Sequence, residues 1–133
     1  MPLKLTLKPR EKFVLNGGVI TNGDRRSDLV IENQVSLLRE RDVMQPQDAN
    51  TPVRRVYFTI MMMYLDGGLN SKHYRDFCDR ITDFMCAVSS RTVLDKCHRM
   101  LDDVHAKRFY TALMTCKSIL PFEQERLDYA THH

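Results

Sequence analysis

Apolar residues recur at every second position at the start of the chain, where Leu3, Leu5 and Leu7 alternate with Lys4, Thr6 and Lys8. That is the period of a strand with one buried face. The stretch "KPRE" at 8–11 interrupts it and Phe13-Val14-Leu15 resumes it. Asn16-Gly17-Gly18 then supplies residues that accept positive φ, as a tight hairpin turn requires. A second turn signal, Asn22-Gly23-Asp24, leads to Leu29 and Ile31, and Val35 with Leu37 marks a last short run. The pattern predicts a meander of four or five short antiparallel strands over residues 1–50.

After "QPQDANTP" the period changes from two to between three and four. Thr51 is placed to cap a helix and Pro52 to occupy its first position, where a missing N–H costs nothing. Val53, Val56, Tyr57, Ile60, Met61 and Tyr64 follow at helical spacing until Asp66-Gly67-Gly68 ends the run. A second helix opens at Asn70 or Ser71 and carries Phe77, Ile81, Phe84 and Val88 on one stripe. Ser89 or Ser90 caps a third with Val93, Cys97, Leu101 and Val104, and Phe109, Ala112, Leu113, Cys116 and Ile119 define a fourth that Pro121 stops. The fold class is therefore α+β, an N-terminal β-meander followed by a C-terminal bundle of about four helices over 51–121. Residues 122–133 are expected to form a frayed tail. At 133 residues one integrated domain is expected.

Composition narrows the chemistry. No apolar run approaches the roughly 20 residues of a membrane helix, and the alternating start does not resemble a signal peptide. Cys78, Cys86, Cys97 and Cys116 form no CxxC pair, which fits reduced thiols and a cytoplasmic location. The net charge of +3 is modest, so any basic patch has to be assembled by folding.

The catalytic candidates are thin. His98, Asp102 and His105 share a helical face and could hold zinc, but a solvated polar stripe explains them as well. Asp76, Asp79 and Asp83 are interleaved with Arg75 and Arg80, as on a salt-laced outer face. Phosphate-binding, nucleophile-elbow and zinc-protease motifs are lacking, so neither catalysis nor a cofactor is expected. Met61, Met62 and Met63 cannot all face one core, and adaptable methionine suits a partner-binding surface. The alternative is that two pack and one is exposed.

Arginines occur in close pairs at Arg25 and Arg26, Arg39 and Arg41, and Arg54 and Arg55. Guanidinium forks match phosphate and base edges, so these pairs, with Lys8 and Arg10, are the candidate RNA-binding residues. A solvated salt-bridge rim is the competing reading. Arginine in a helix's first turn opposes the dipole, so Arg54 and Arg55 need another justification, from phosphate or from Asp48 or Glu40.

The order "LKLTLKPREKFVLNGGVITNGDRRSDLVIENQ", then "LLRERDVMQPQDANTPVRRVYF", then "MMMYLD" resembles the FlbT family of bacterial flagellum biosynthesis regulators. The agreement is densest from Leu3 to Leu65. Where that family carries glycine in "KPGE", this chain has Arg10. The resemblance implies a post-transcriptional regulator that associates with the 5′ untranslated region of flagellin mRNA, represses it and promotes its decay. Some relatives would instead activate. It also implies a small companion, FlaF, as a possible partner.

A weaker resemblance joins "LTLKPREKFVL" and "VSLLRERDV" to the opening and closing strands of the carbon-storage regulator CsrA. It implies a homodimer through the sheet edge, with Arg39 at the place of the RNA-contacting arginine. Leu7 departs from that pattern and Lys8 agrees with it. The rival class is a protein-interaction module that holds flagellin or FlaF and acts on translation indirectly.

Overall fold

The computed structural model describes residues 2–132, with side chains described to Tyr129. The chain divides into two compact units: Met1–Val43 with Leu65–Gly67, and Met44–Tyr64 with Gly68–His133. The fold class is α+β, with antiparallel strands first and helices after them.

In the first unit the strands are β1 (Leu3–Leu7), β2 (Lys12–Leu15), β3 (Gly18–Thr21), β4 (Ser27–Ile31) and β5 (Leu37–Arg39). They form two small antiparallel sheets, β1-β4 and β3-β2-β5. Only β2 and β3 are both consecutive and paired, so the connectivity is not a simple meander. Their hairpin turns at Asn16 and Gly17, whose φ values of 49° and 86° are the positive pair that a two-residue turn demands. Asn16 also accepts from Ser36 N at 2.9 Å through its side chain, which ties the turn to the segment entering β5.

Alternation in β1 sends Leu5 and Leu7 inward, and the registers place Phe13, Leu15 and Leu37 on one face of the other sheet. These five side chains pack together as the core of the unit. Leu3 and Leu29 on one sheet and Ile20 on the other are exposed. After β5, Glu40–Asp42 make one 3-10 turn, so the charged "RERD" begins where the strand ends.

The second unit holds five helices: α1 (Pro52–Asp66), which runs past the unit's edge at Tyr64, α2 (Ser71–Ala87), α3 (Arg91–His105), α4 (Phe109–Lys117) and α5 (Leu120–His132). Asn70 caps α2 by accepting from Lys72 N at 3.0 Å, and Ser90 caps α3 by accepting from Val93 N at 3.3 Å. Gly67 and Gly68, at φ 69° and 78°, carry the chain out of α1. A β-carbon at Gly68 would stand 2.9 Å from the Phe109 ring, so bulk as well as backbone reserves that place for glycine.

Helix α5 corrects the expectation of a frayed tail over 122–133. Pro121 lies in the first turn of α5 and opens it, where its fixed φ and missing N–H are compatible with helix. The physical anchor is Glu123, a buried carboxylate that accepts from the Thr51 hydroxyl and from Val53 N (2.9 Å). Thr51 in turn accepts from Arg54 N at 3.2 Å, so the start of α1 is capped twice. Residue 133 lies outside the described residues.

Candidate nucleic-acid interface

The turn "KPRE" between β1 and β2 closes on itself: Glu11 N donates to Lys8 O at 3.1 Å, and Lys8 N donates to Glu11 Oε1 at 2.9 Å. Arg10 sits in it at φ 64°, a left-handed conformation that favours glycine. Arg10 thus bears a backbone strain that glycine at this position would not. Its guanidinium pairs with Asp24 on the exposed β3-β4 loop.

That loop is drawn against the turn by main-chain bonds from Arg10 N to Gly23 O (2.9 Å) and from Asn22 N to Glu11 O (2.8 Å). The Asn22 carboxamide adds donations to Lys8 O at 2.7 Å and Arg25 O at 3.0 Å, with Leu7 O at 3.5 Å. Its oxygen accepts from Gly23 N at 2.9 Å. Two turns distant in sequence, one bearing Lys8 and Arg10 and the other Arg25 and Arg26, are thereby joined. Asn22 reads as a turn former in the sequence, and only the fold reveals this second task.

The end of β5 reaches the same region. Lys8, Pro9, Arg10, Glu11, Arg39, Glu40 and Arg41 line one shallow hollow. Arg39 is not a free cation there: Nη1 donates to Glu11 Oε2 at 3.1 Å and Nη2 to Thr6 O at 3.2 Å. Its side chain is 27% exposed and that of Glu11 16%. Arg39 is thus a strut between β5, β1 and the β1-β2 turn. Arg41 is different, 74% exposed and only 3.9 Å from its neighbour Asp42. Lys8, Arg25 and Arg26 meet no carboxylate among the described residues. Segments 8–12, 22–26 and 39–42 together carry seven lysines and arginines against four carboxylates. Such a surface attracts anions and can neutralise several phosphates.

Arg54 and Arg55 lie in the other unit, in the first turn of α1. Arg54 finds its justification in amide oxygens, donating to Asn50 Oδ1 at 2.9 Å and Gln124 Oε1 at 2.8 Å. It therefore reinforces the α1–α5 junction, while Arg55 is exposed and without a carboxylate among the described residues. The methionines separate too: Met61 and Met63 are buried, which corrects the reading of all three as a partner surface, and Met62 is half-buried. Alternate side chains of a helix cannot share one outer face, and Met61 Sδ accepts from Met44 N at 3.3 Å.

No three His, Cys, Asp or Glu side chains come together to hold a metal ion among the described residues. The four thiols are free, with Cys97 and Cys116 buried and Cys86 exposed. Burial pushes the Cys97 thiol up to about 11 and raises Cys116 further, with Cys97 and Glu123 adding to the shift. No described helix is long and apolar enough to cross a membrane.

The family model described as "Flagellar protein FlbT" matches residues 3–127. The chain belongs to the FlbT family. It is 48% identical over 131 residues to the flagellum biosynthesis repressor protein FlbT of Caulobacter vibrioides strain CB 15, covering 98% of this chain and 93% of that protein. A probable repressor of the same name from Caulobacter sp. strain K31 is also 48% identical, over its whole length. A third, from Rhodopseudomonas palustris strain CGA009, is 33% identical over 128 residues, 96% of this chain and 98% of that protein. No solved structure matches the chain.

Proposed function

We propose that this FlbT-family protein represses flagellin synthesis by binding the 5′ untranslated region of flagellin mRNA through the basic surface of its strand unit. The observation that carries the proposal is the joining of the Lys8–Arg10 turn to the Arg25–Arg26 loop, beside the exposed Arg41. The relatives' names as flagellum biosynthesis repressors supply the biological direction. A leader occupied by protein is closed to initiating ribosomes, and a transcript without ribosomes is open to degradation. The cations act by replacing condensed counterions on the phosphates, with each neutralised phosphate on single-stranded RNA contributing about 0.7 to the salt slope. Glu40 and Glu11, on the same hollow, disfavour indiscriminate polyanion binding. The protein in this reading is a cytoplasmic regulator and not an enzyme.

A second copy of the chain completes the reading. Strand β3 is the outer strand of its sheet and all four of its residues are exposed, Val19 at 71%. A free apolar edge of this kind pairs readily with another strand. A homodimer through this edge would place two basic surfaces on one transcript. Sedimentation of the full chain should show a dimer that Val19→Lys converts to monomer, and a monomeric wild type would remove this part.

The principal test titrates a labelled flagellin leader with the full chain, against a shuffled RNA, across a salt series. Preference for the leader, together with loss of affinity in Arg25→Ala/Arg26→Ala, supports direct contact. Discrimination that arises only when flagellin or FlaF is added would establish the protein-interaction alternative instead. In cells, the half-life of flagellin mRNA after transcription is stopped should lengthen in the same variant.

A further inference from the structure

We infer that Asn22 is the positioning residue of the basic surface: its carboxamide holds the Lys8–Arg10 turn and the Arg25–Arg26 loop as one platform that engages a single RNA backbone. This rests on the reading that the surface binds RNA. The carboxamide N–H groups donate to the carbonyls of Lys8 and Arg25, and both of those residues carry cationic side chains. Donation therefore fixes the backbone from which each cation springs. The main-chain bonds Arg10 N to Gly23 O and Asn22 N to Glu11 O reach only residues before Arg25. The Arg25 carbonyl also accepts from the Ser27 hydroxyl at 3.2 Å, but of these two donors it is Asn22 that reaches the Lys8 carbonyl of the turn as well.

Loss of the carboxamide loosens the Arg25 backbone against the Lys8 turn without touching a charge, while the two main-chain bonds and the Arg10–Asp24 pair still hold the start of the loop. A cation on a loose loop still attracts RNA from a distance, but ordering it on binding costs conformational entropy and reduces the ion pairs held at once. The expected signature is a change in the number of phosphates neutralised, which a merely structural role elsewhere in the fold would not produce.

The experiment is a mutant cycle on the full chain, with Asn22→Ala, Arg25→Ala/Arg26→Ala and their combination, each titrated against the flagellin leader RNA from low to high salt. Asn22→Ala is expected to weaken binding and to lower the salt slope by about 0.7 for each phosphate released, so by about 1.4 for two. The arginine pair should then cost less in the Asn22→Ala background than in the wild type. Hydrogen exchange at the amides of the paired strands, such as Leu5 and Val14, and the unfolding midpoint report whether the strand unit survives. Asn22→Ser is the second variant: it stays neutral, keeps an oxygen acceptor for Gly23 N and has a single donor, so it cannot bridge both carbonyls and should share the loss of coupling even if Asn22→Ala does not fold.

Additive costs with an unchanged slope would overturn the role of Asn22 while leaving the RNA surface intact. A wild-type affinity in Arg25→Ala/Arg26→Ala would overturn the RNA reading itself, and this inference with it.

Discussion

Arg39 and Glu11 form an ion pair at 3.1 Å, and the same guanidinium donates to Thr6 O, so this arginine spends its fork on the fold. The pair is part-buried, and hydrogen bonds to charged groups in such places contribute more than their exposed counterparts. The arginine two positions later is free to do what Arg39 cannot.

The two are separable by substitution. Arg39→Ala should destabilise the chain by about 2 kcal/mol, since Glu11 and Thr6 O lose their partner. Arg41→Ala should change stability by less than about 0.5 kcal/mol and lower the salt slope of RNA binding by about 0.7. Urea unfolding alongside the titration reads both, and an Arg39→Ala protein as stable as the wild type would remove the strut.

Arg10 sits at φ 64°, and its side chain makes an exposed ion pair with Asp24. Surface pairs of this kind contribute little. Arg10→Gly should therefore raise stability by about 0.5 to 1 kcal/mol, because glycine adopts the conformation without strain. The same change should weaken RNA binding. Opposite movement of the unfolding midpoint and the affinity is the expected outcome, and a less stable glycine variant would contradict the strain argument.

Glu123 secures the start of α1 from 72 residues beyond Thr51. Glu123→Ala leaves the buried Thr51 hydroxyl and Val53 N without an acceptor, and should cost about 2 to 3 kcal/mol. Glu123→Gln keeps one acceptor oxygen and should cost less. Hydrogen exchange should show faster exchange at Val53 in the alanine variant, and unchanged protection there would contradict the double cap.

The cysteines predict an alkaline limit. With the Cys97 thiol raised from 9.0 to about 11, the unfolded chain loses this proton first as pH rises. The stability from the neutral buried thiol is present in full below about pH 9 and is lost as pH rises toward about 11. Urea midpoints measured over that window should fall less steeply in Cys97→Ala than in the wild type. At pH 8, iodoacetamide should modify the exposed Cys86 and spare Cys97 and Cys116.

Local pattern determined the elements. The two-residue alternation from Leu3 to Leu7 and the Asn16-Gly17 turn depend on neighbours within a few positions and appear where the sequence puts them, while the starts of α2 and α3 were legible to within one residue and the fold settles the caps on Asn70 and Ser90. Proline was ambiguous for the same reason: Pro121 ends one helix or starts the next by local rules alone, and Glu123's grip on Thr51 decides between them. Strand pairing was equally illegible, because β1 meets β4 and β5 returns to β2 through contacts far apart in the chain. The charged residues show the division most clearly. Their identities and clustering were plain in the sequence, but whether each is a strut, a strained turn or a free cation depends on the carboxylates and carbonyls that folding brings beside it. Arg39, Arg10 and Arg25 are chemically one side chain, and the tertiary structure alone makes them three different things.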